Sequence, residues 1–475
     1  MPAMRNWLSL LIPPLGAAAL LLFEPTASQV ALSLMLWMVM WWVLEVMPLG
    51  ITALLPLVYL PLTGVMELKL VASAYANPTI YLFLGGFVIA RGLEKTLLNE
   101  RIALNILKVT GRSDGGIILG FMIATSFLSM WISNTATTVM MVPIALSVVD
   151  FLTKQLAENQ KTTLKTFSIV LFLTIAYSAN MGGIFTPVGT PPNVVLLGFL
   201  EEIYNIEIDF WRWMMAVSPI GIVVLGLQFF LLRRIFHYNV PIDQRFRKFA
   251  KAQVKSLGPL NRQQKITLVV FCLVAFLWIF KGSIHYLLDT KFLNDTSIAI
   301  TGAILLFLLP TNTKDFTAVL GSKDIAHLPW NIILLFGGGM AMAGALKQVG
   351  LIEMTATYLA NFDMGSPYVL VFVLALASLF LTEIMSNVAL CVVALPVFME
   401  LGVKTHLSPI VVGMITAICA SMAFSMPVST PPNAIVFGTN MIRVKDMMRA
   451  GILLNLIGVS VVMSLGWLSI HFFFQ

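Results

Sequence analysis

The chain has 475 residues, of which 59% are hydrophobic and only 11% charged, against about 25% charged in soluble domains, which excludes a water-soluble globular fold. Apolar runs recur from end to end at close to the roughly 20 residues that an α-helix needs to cross hydrocarbon, and the short alternating segments of a membrane β-barrel are nowhere seen. The formal net charge of +7 does not indicate nucleic acid, because the basic residues are distributed by membrane side.

The pattern predicts an all-α polytopic membrane protein. Its first element, within 1–28, is a span near 7–23 that follows Arg5. That run is short and precedes Thr26, Ala27 and Ser28, so a signal peptide is the alternative reading. A first unit, 29–238, holds predicted spans at 29–46, 49–64, 79–97, 165–187 and 213–236. Its apolar stretch 115–152 is too long for one span and is interrupted by Ser133, Asn134 and Thr135, which reads as a re-entrant hairpin. Irregular backbone at membrane depth survives only inside protein or beside a wet cavity.

The segment 239–264 reads as a basic linker. From Arg233 to Lys265 the chain carries nine Lys or Arg against the single acid Asp243, so the positive-inside rule makes this loop cytoplasmic. Counting spans from there puts Arg5 inside, the acidic loop Glu201, Glu202, Glu207 and Asp209 outside, and the C-terminus outside. The second unit, 265–475, holds spans at 265–281, 296–310, 331–347, 408–427 and 450–473, and a second hairpin at 367–400 interrupted by Ser386, Asn387 and Val388. That makes eleven spans and two hairpins. Cys272, Cys391 and Cys419 all lie in apolar segments and read as inert packing.

The two units repeat one another. At a shift of 253, Gly85 and Gly86 fall on Gly338 and Gly339, Pro143 on Pro396, Ser133 and Asn134 on Ser386 and Asn387, and the hydroxyl of Ser129 on that of Thr382. At a shift of 240, Thr190-Pro191-Pro192-Asn193 falls on Thr430-Pro431-Pro432-Asn433. Five spans plus one hairpin per copy invert the second relative to the first, the arrangement of secondary transporters whose sites lie where discontinuous helices of both repeats meet.

Two consecutive prolines break a helix and expose carbonyls on one side and N–H groups on the other. A cation can take the carbonyls and an anion can sit at the N–H end. The Ser-Asn clusters offer neutral oxygens that suit a hard cation such as sodium, and donors that suit a carboxylate. No Lys, Arg, Asp or Glu occurs from Gly115 to Val149, which argues against proton coupling at the first cluster. Glu383, the acid beside the tip of the second hairpin, is either functional or holds the hairpin in place.

The stretch from Ala420 to Val436, with its Ser429-Thr430-Pro431-Pro432-Asn433 core, resembles the signature of the divalent anion:sodium symporter family. The two Ser-Asn tips resemble that family's paired hairpin motifs, and Glu45 through Pro56 resembles its early helix. The similarity runs over nearly the whole chain. It implies an elevator-type carrier, commonly a homodimer in the cytoplasmic membrane, that moves di- or tricarboxylates or sulfate, usually with sodium as coupling ion.

Carried over by motif, Ser129, Ser133, Asn134 and the backbone near Gly189 resemble one sodium site. Thr382, Ser386, Asn387 and the backbone near Ser429 resemble the other. Asn134, Thr135, Asn387, Thr430 and Pro431 resemble contacts to a small divalent organic anion, with Thr190 and Val388 at the matching positions. Val388 stands where many relatives have Thr, which bears on substrate identity. The expected function is sodium-coupled symport of C4-dicarboxylates, with dicarboxylate exchange, citrate transport and sodium:sulfate symport as alternatives. A membrane enzyme would need a nucleophile with a base or a metal cluster. His237, His285, His327, His406 and His471 all lie outside the hairpins and breaks, so no catalytic residue is assigned.

Overall fold

The computed structural model describes residues 7–157, 160–289, 292–312, 317–361 and 365–474; Arg5 and the last residue, Gln475, on which the predicted sidedness of the termini bears, lie outside them. The described residues are mostly helical, with one short antiparallel ribbon pairing Pro310–Asn312 with Thr317–Ala318. Among them, eight helices are long and apolar enough to cross a membrane.

The predicted runs become helices with sharper bounds and several breaks. The run 49–64 is two pieces, Leu49–Thr52 and Leu55–Leu62, divided just ahead of Pro56. The first hairpin has arms Asp114–Ser129 and Asn134–Gln155, and the second has arms Pro367–Leu381 and Asn387–Lys404. Local chemistry starts these arms: the Ser113 hydroxyl accepts from the Gly116 N–H at 3.0 Å, and Ser366 accepts from Val369 at 3.3 Å, each satisfying an orphan donor of the first turn.

Several helices were not anticipated, among them two that repeat and one in the basic segment. Leu98–Thr110 and Leu351–Ala360 each follow a membrane-length helix, and each is entered through a residue in left-handed backbone, Leu97 at φ 56° and Gly350 at φ 74°. The two positions are equivalent under the shift of 253. The basic segment expected as a linker contains the helix Gln244–Ser256, which packs on Leu98–Thr110.

The helices of the two halves interlock. Helix Pro78–Lys95 packs on Asp295–Leu308 of the other half, and helix Trp330–Gln348 packs on Leu49–Thr52 and Leu55–Leu62. Glycine makes both contacts possible. A Cβ at Gly85 would lie 2.6 Å from the Cβ of Ala299, and one at Gly338 would run into the backbone of Ala53. The Tyr75 hydroxyl donates to the same Ala53 carbonyl. At the centre runs Lys161–Ile184, buried at every residue from Phe167 to its end. Its cover comes from both hairpin arms of the first half and from Pro431–Gly438 of the second.

Candidate functional site

Each Thr-Pro-Pro-Asn string interrupts a helix. The first broken helix runs Lys161–Ile184 and resumes at Pro191–Tyr204; the second runs Pro409–Ser421 and resumes at Pro431–Gly438. Thr190 and Thr430 take extended backbone at the N-cap and the first proline opens the new helix, where its missing N–H costs nothing. The motif asparagines close the gaps. Asn193 donates from Nδ2 to the carbonyls of Gly183 at 3.2 Å and Thr186 at 2.8 Å. Asn433 donates to those of Ala423 and Met426, both at 3.0 Å. In each half the acceptors lie ten and seven residues upstream, so these residues hold the breaks in shape.

The hairpin tips face those breaks with matching geometry. In the first half the buried Ser129 Oγ lies 2.7 Å from Asn134 Oδ1 and 2.8 Å from the carbonyl oxygen of Ala179. In the second, Thr382 Oγ1 lies 2.8 Å from Asn387 Oδ1 and 2.6 Å from the carbonyl oxygen of Ala420. A hydroxyl has one proton, so each cluster holds three acceptor oxygens and a single donor. The surplus of oxygen lone pairs in a buried place suits a hard monovalent cation. Glycine again allows the approach: a Cβ at Gly183 would sit 2.5 Å from Asn134 Oδ1, and one at Gly189 2.5 Å from the Gly183 carbonyl oxygen.

The other residues singled out by sequence fall around these clusters. Ser133 caps the second arm of its hairpin by accepting from Ala136 N–H at 3.2 Å, whereas Ser386 makes no side-chain cap bond. Ser429 Oγ donates to the Met426 carbonyl at 2.7 Å and accepts from Asn433 at 3.1 Å, and its N–H donates to the same Met426 carbonyl at 3.4 Å, so its side chain and N–H belong to the stitch. Asn134 and Thr135, and Asn387 and Val388, occupy the first turns of helices of 22 and 18 residues. The N–H groups there have no intrahelical acceptor and sit at the positive end of the dipole, which favours an anion.

The two halves also meet at this place. Pro191–Tyr204 packs on Asn387–Lys404, and Pro431–Gly438 packs on Asn134–Gln155, so each resumed helix crosses to the other half's hairpin. Asn180 donates to the Ala423 carbonyl and to Thr430 Oγ1, both at 3.2 Å. The surroundings differ between halves. The first break is buried throughout, whereas Met426 and Val428 of the second are exposed, Val428 at 78%.

Glu383 has a structural task. Its carboxylate accepts from the backbone N–H groups of Phe424 at 3.0 Å, Ser425 at 2.9 Å and Met426 at 3.1 Å, and from Asn455 Nδ2 at 2.6 Å. It ties the second hairpin to the second break. The first half makes the corresponding tie with a neutral group, the Thr186 hydroxyl donating to the Met130 carbonyl. Sequence reasoning did not reach Ala179, Ala420, Asn180 or Asn455. The first two act through carbonyls, which no residue type announces.

Two polar tips set against two broken helices, inside an all-helical membrane protein, define a membrane transporter. Residues 12–473 match the family described as the sodium:sulfate symporter transmembrane region, the divalent anion:sodium symporters, and the chain belongs to that family. It is 36% identical over 459 residues to the sodium-dependent dicarboxylate transporter SdcS of Staphylococcus saprophyticus, covering 95% of this chain and 88% of the relative. It is 35% identical over 461 residues, with the same coverage, to the protein of the same name from Staphylococcus aureus strain USA300. The YdaH transporter of Alcanivorax borkumensis, whose crystal structure was described as having an unusual topology, aligns with a TM-score of 0.53 at 14% identity over 85% of this chain and 87% of that one. That likeness is one of fold.

Proposed function

We propose that this protein is a sodium-coupled symporter of C4-dicarboxylates. One observation carries the reading: each hairpin tip gathers three buried oxygens around one proton, directly beside free N–H groups at a helix start. Sodium fits the first feature and a carboxylate the second, so cation and anion bind as neighbours and each lowers the cost of the other. Ser129, Ser133, Asn134 and the Gly189 backbone hold one sodium; Thr382, Ser386, Asn387 and the Ser429 backbone hold the second. The dianion lies between Asn134 with Thr135 and Asn387 with Val388, bounded by Thr190, Thr430 and Pro431. Family membership and the names of the two staphylococcal relatives support this assignment.

The two repeats, 29–238 and 265–475, lie inverted in the cytoplasmic membrane. The hairpins and broken helices travel as one body against the remaining helices in an elevator motion, within a homodimer, and the basic segment 239–264 faces the cytoplasm. The test is uptake by purified protein in sealed vesicles. Labelled succinate should accumulate under an inward sodium gradient and exchange with unlabelled malate and fumarate better than with citrate or sulfate. Accumulation that needs internal dicarboxylate and ignores sodium would replace symport by exchange.

A further inference from the structure

We propose that helix Gln244–Ser256 docks anionic phospholipid headgroups and thereby anchors the open base of the first hairpin at the membrane surface. The helix is two-faced. Phe246 and Ala250 are buried, and the Phe249 ring stacks on Phe151 of the hairpin arm with centroids 4.4 Å apart and planes 21° apart. Arg245 donates to Gln155 Oε1, at the end of the same arm, at 2.7 Å. The opposite face carries Arg247, Lys248, Lys251 and Lys255, all exposed. Arg247, Lys251 and Lys255 follow one another at four-residue steps and so share a stripe.

These four cations form no ion pair among the described residues, while Arg91, Lys95, Lys154, Lys281, Lys404 and Arg443 all do. The helix is tethered to two candidate membrane spans. The connectors 236–243 and 257–261 join it to Phe210–Ile235 and Arg262–Leu288 and reach at most roughly 28 Å and 18 Å at about 3.5 Å per residue. Arg101 pins its far end by donating to the carbonyls of Leu257 at 2.7 Å and Gly258 at 2.9 Å. The joint with the hairpin is not close-packed. A cavity of about 120 Å³ lies where this helix, the hairpin arm and Leu98–Thr110 meet, lined among others by Leu104, Ile144, Val148 and Phe249.

An unpaired cationic stripe tethered near the bilayer meets a negative lipid surface before any other polyanion. Each Lys or Arg near such a surface contributes about five-fold to binding. Bound headgroups hold the helix, and through Phe249 and Arg245 they hold the hairpin base.

The test places a fluorophore on Ala252→Cys, an exposed position between Lys251 and Gln253, in a Cys272→Ser background. Full-length protein is reconstituted in equal parts phosphatidylglycerol and phosphatidylcholine, and quenching by headgroup-spin-labelled forms of each lipid is compared. Phosphatidylglycerol should quench preferentially, the preference should fall about five-fold in Lys251→Gln, and it should vanish in the variant with all four cations changed to Gln. The single variant keeps the test valid if the fourfold variant fails to insert. Equal quenching by both lipids in the parent would overturn the proposal. So would a preference untouched by Lys251→Gln, or a label quenched by neither lipid and shielded only by an added acidic peptide, which would assign the face to a soluble partner.

Discussion

Glu383 and Asn455 are joined by a 2.6 Å hydrogen bond that links the second hairpin to the last long helix, Val444–Val461. The same carboxylate takes three backbone N–H groups of the second break, so one side chain fixes three elements. Glu383→Gln keeps the shape but turns an NH2 toward a donor. At least one N–H then loses its acceptor, at a cost of about 2 kcal/mol for a bond to a charged group. A lower melting temperature of purified Glu383→Gln is expected, with a similar loss in Asn455→Ala. The double variant should lose less than the sum of the two. Additive losses would mean that the two residues act separately.

The four motif asparagines divide into two kinds. Asn193→Ala takes from a fully buried break the side-chain donor of the Gly183 and Thr186 carbonyls, at about 1–3 kcal/mol per orphaned group. In Asn433→Ala the Ala423 and Met426 carbonyls keep Asn180 and Ser429 as donors. Both should reduce folded yield and melting temperature, the first more. Asn134→Ala and Asn387→Ala each remove one oxygen from a cluster that already has more acceptors than donors. Folding should therefore survive, while half-saturation by sodium in succinate uptake rises by at least about ten-fold, the equivalent of roughly 1.4 kcal/mol. Sodium titration and thermal melts on the same four preparations separate the two kinds. Unchanged sodium dependence in both members of the second pair would reduce the tips to helix caps.

Leu97 holds left-handed backbone at the position where the other half has Gly350. That region costs a side-chain-bearing residue roughly 1–2 kcal/mol, and Leu97 is more than half exposed, so little packing is lost on its removal. Leu97→Gly should leave stability unchanged or raise it by up to about 1 kcal/mol. Gly350→Leu should lower it by a comparable amount. Melts of the two variants, read in opposite directions, check the equivalence of the two corners.

Much of this site was legible because its devices are expensive in hydrocarbon. A polar Ser-Asn pair or a double proline inside an apolar run stands out against leucine and valine, and its recurrence in the second half marks it again. Ala179 and Ala420 left no such mark, since backbone carbonyls exist at every residue and only the fold decides which ones converge. Leu98–Thr110 was hidden for a different reason. Glu100, Arg101 and Lys108 interrupt its apolar residues, so it reads as a loop between spans, although its helical periodicity was there to be counted. In Gln244–Ser256 the abundance of cations drew the reading toward sidedness and away from the buried stripe of Phe246 and Ala250.

Charge sets the coupling. Moving a dianion into a negative interior costs roughly 4.6 kcal/mol at 100 mV, and two sodium ions only cancel that charge. With two, only the sodium gradient drives accumulation; we expect a third, beyond the two hairpin clusters, which would add the membrane potential to the driving force. Addition of succinate with sodium to reconstituted protein should produce an inward positive current. Electroneutral uptake at a pH where succinate is fully ionised would rule out the third ion.

The crossed glycine contacts, Gly85 on Ala299 and Gly338 on Ala53, bear on how the chain is made. When the ribosome has released only the first half, the groove at Gly85 faces lipid and waits for a helix not yet synthesised, while Ala53 waits for Gly338. Neither half owns a finished core, so each must linger in the bilayer as loosely gathered helices until the other arrives. Two half-chains, severed within the basic segment and produced together, would then find one another and assemble, whereas either half produced alone would be left to the cell's membrane proteases.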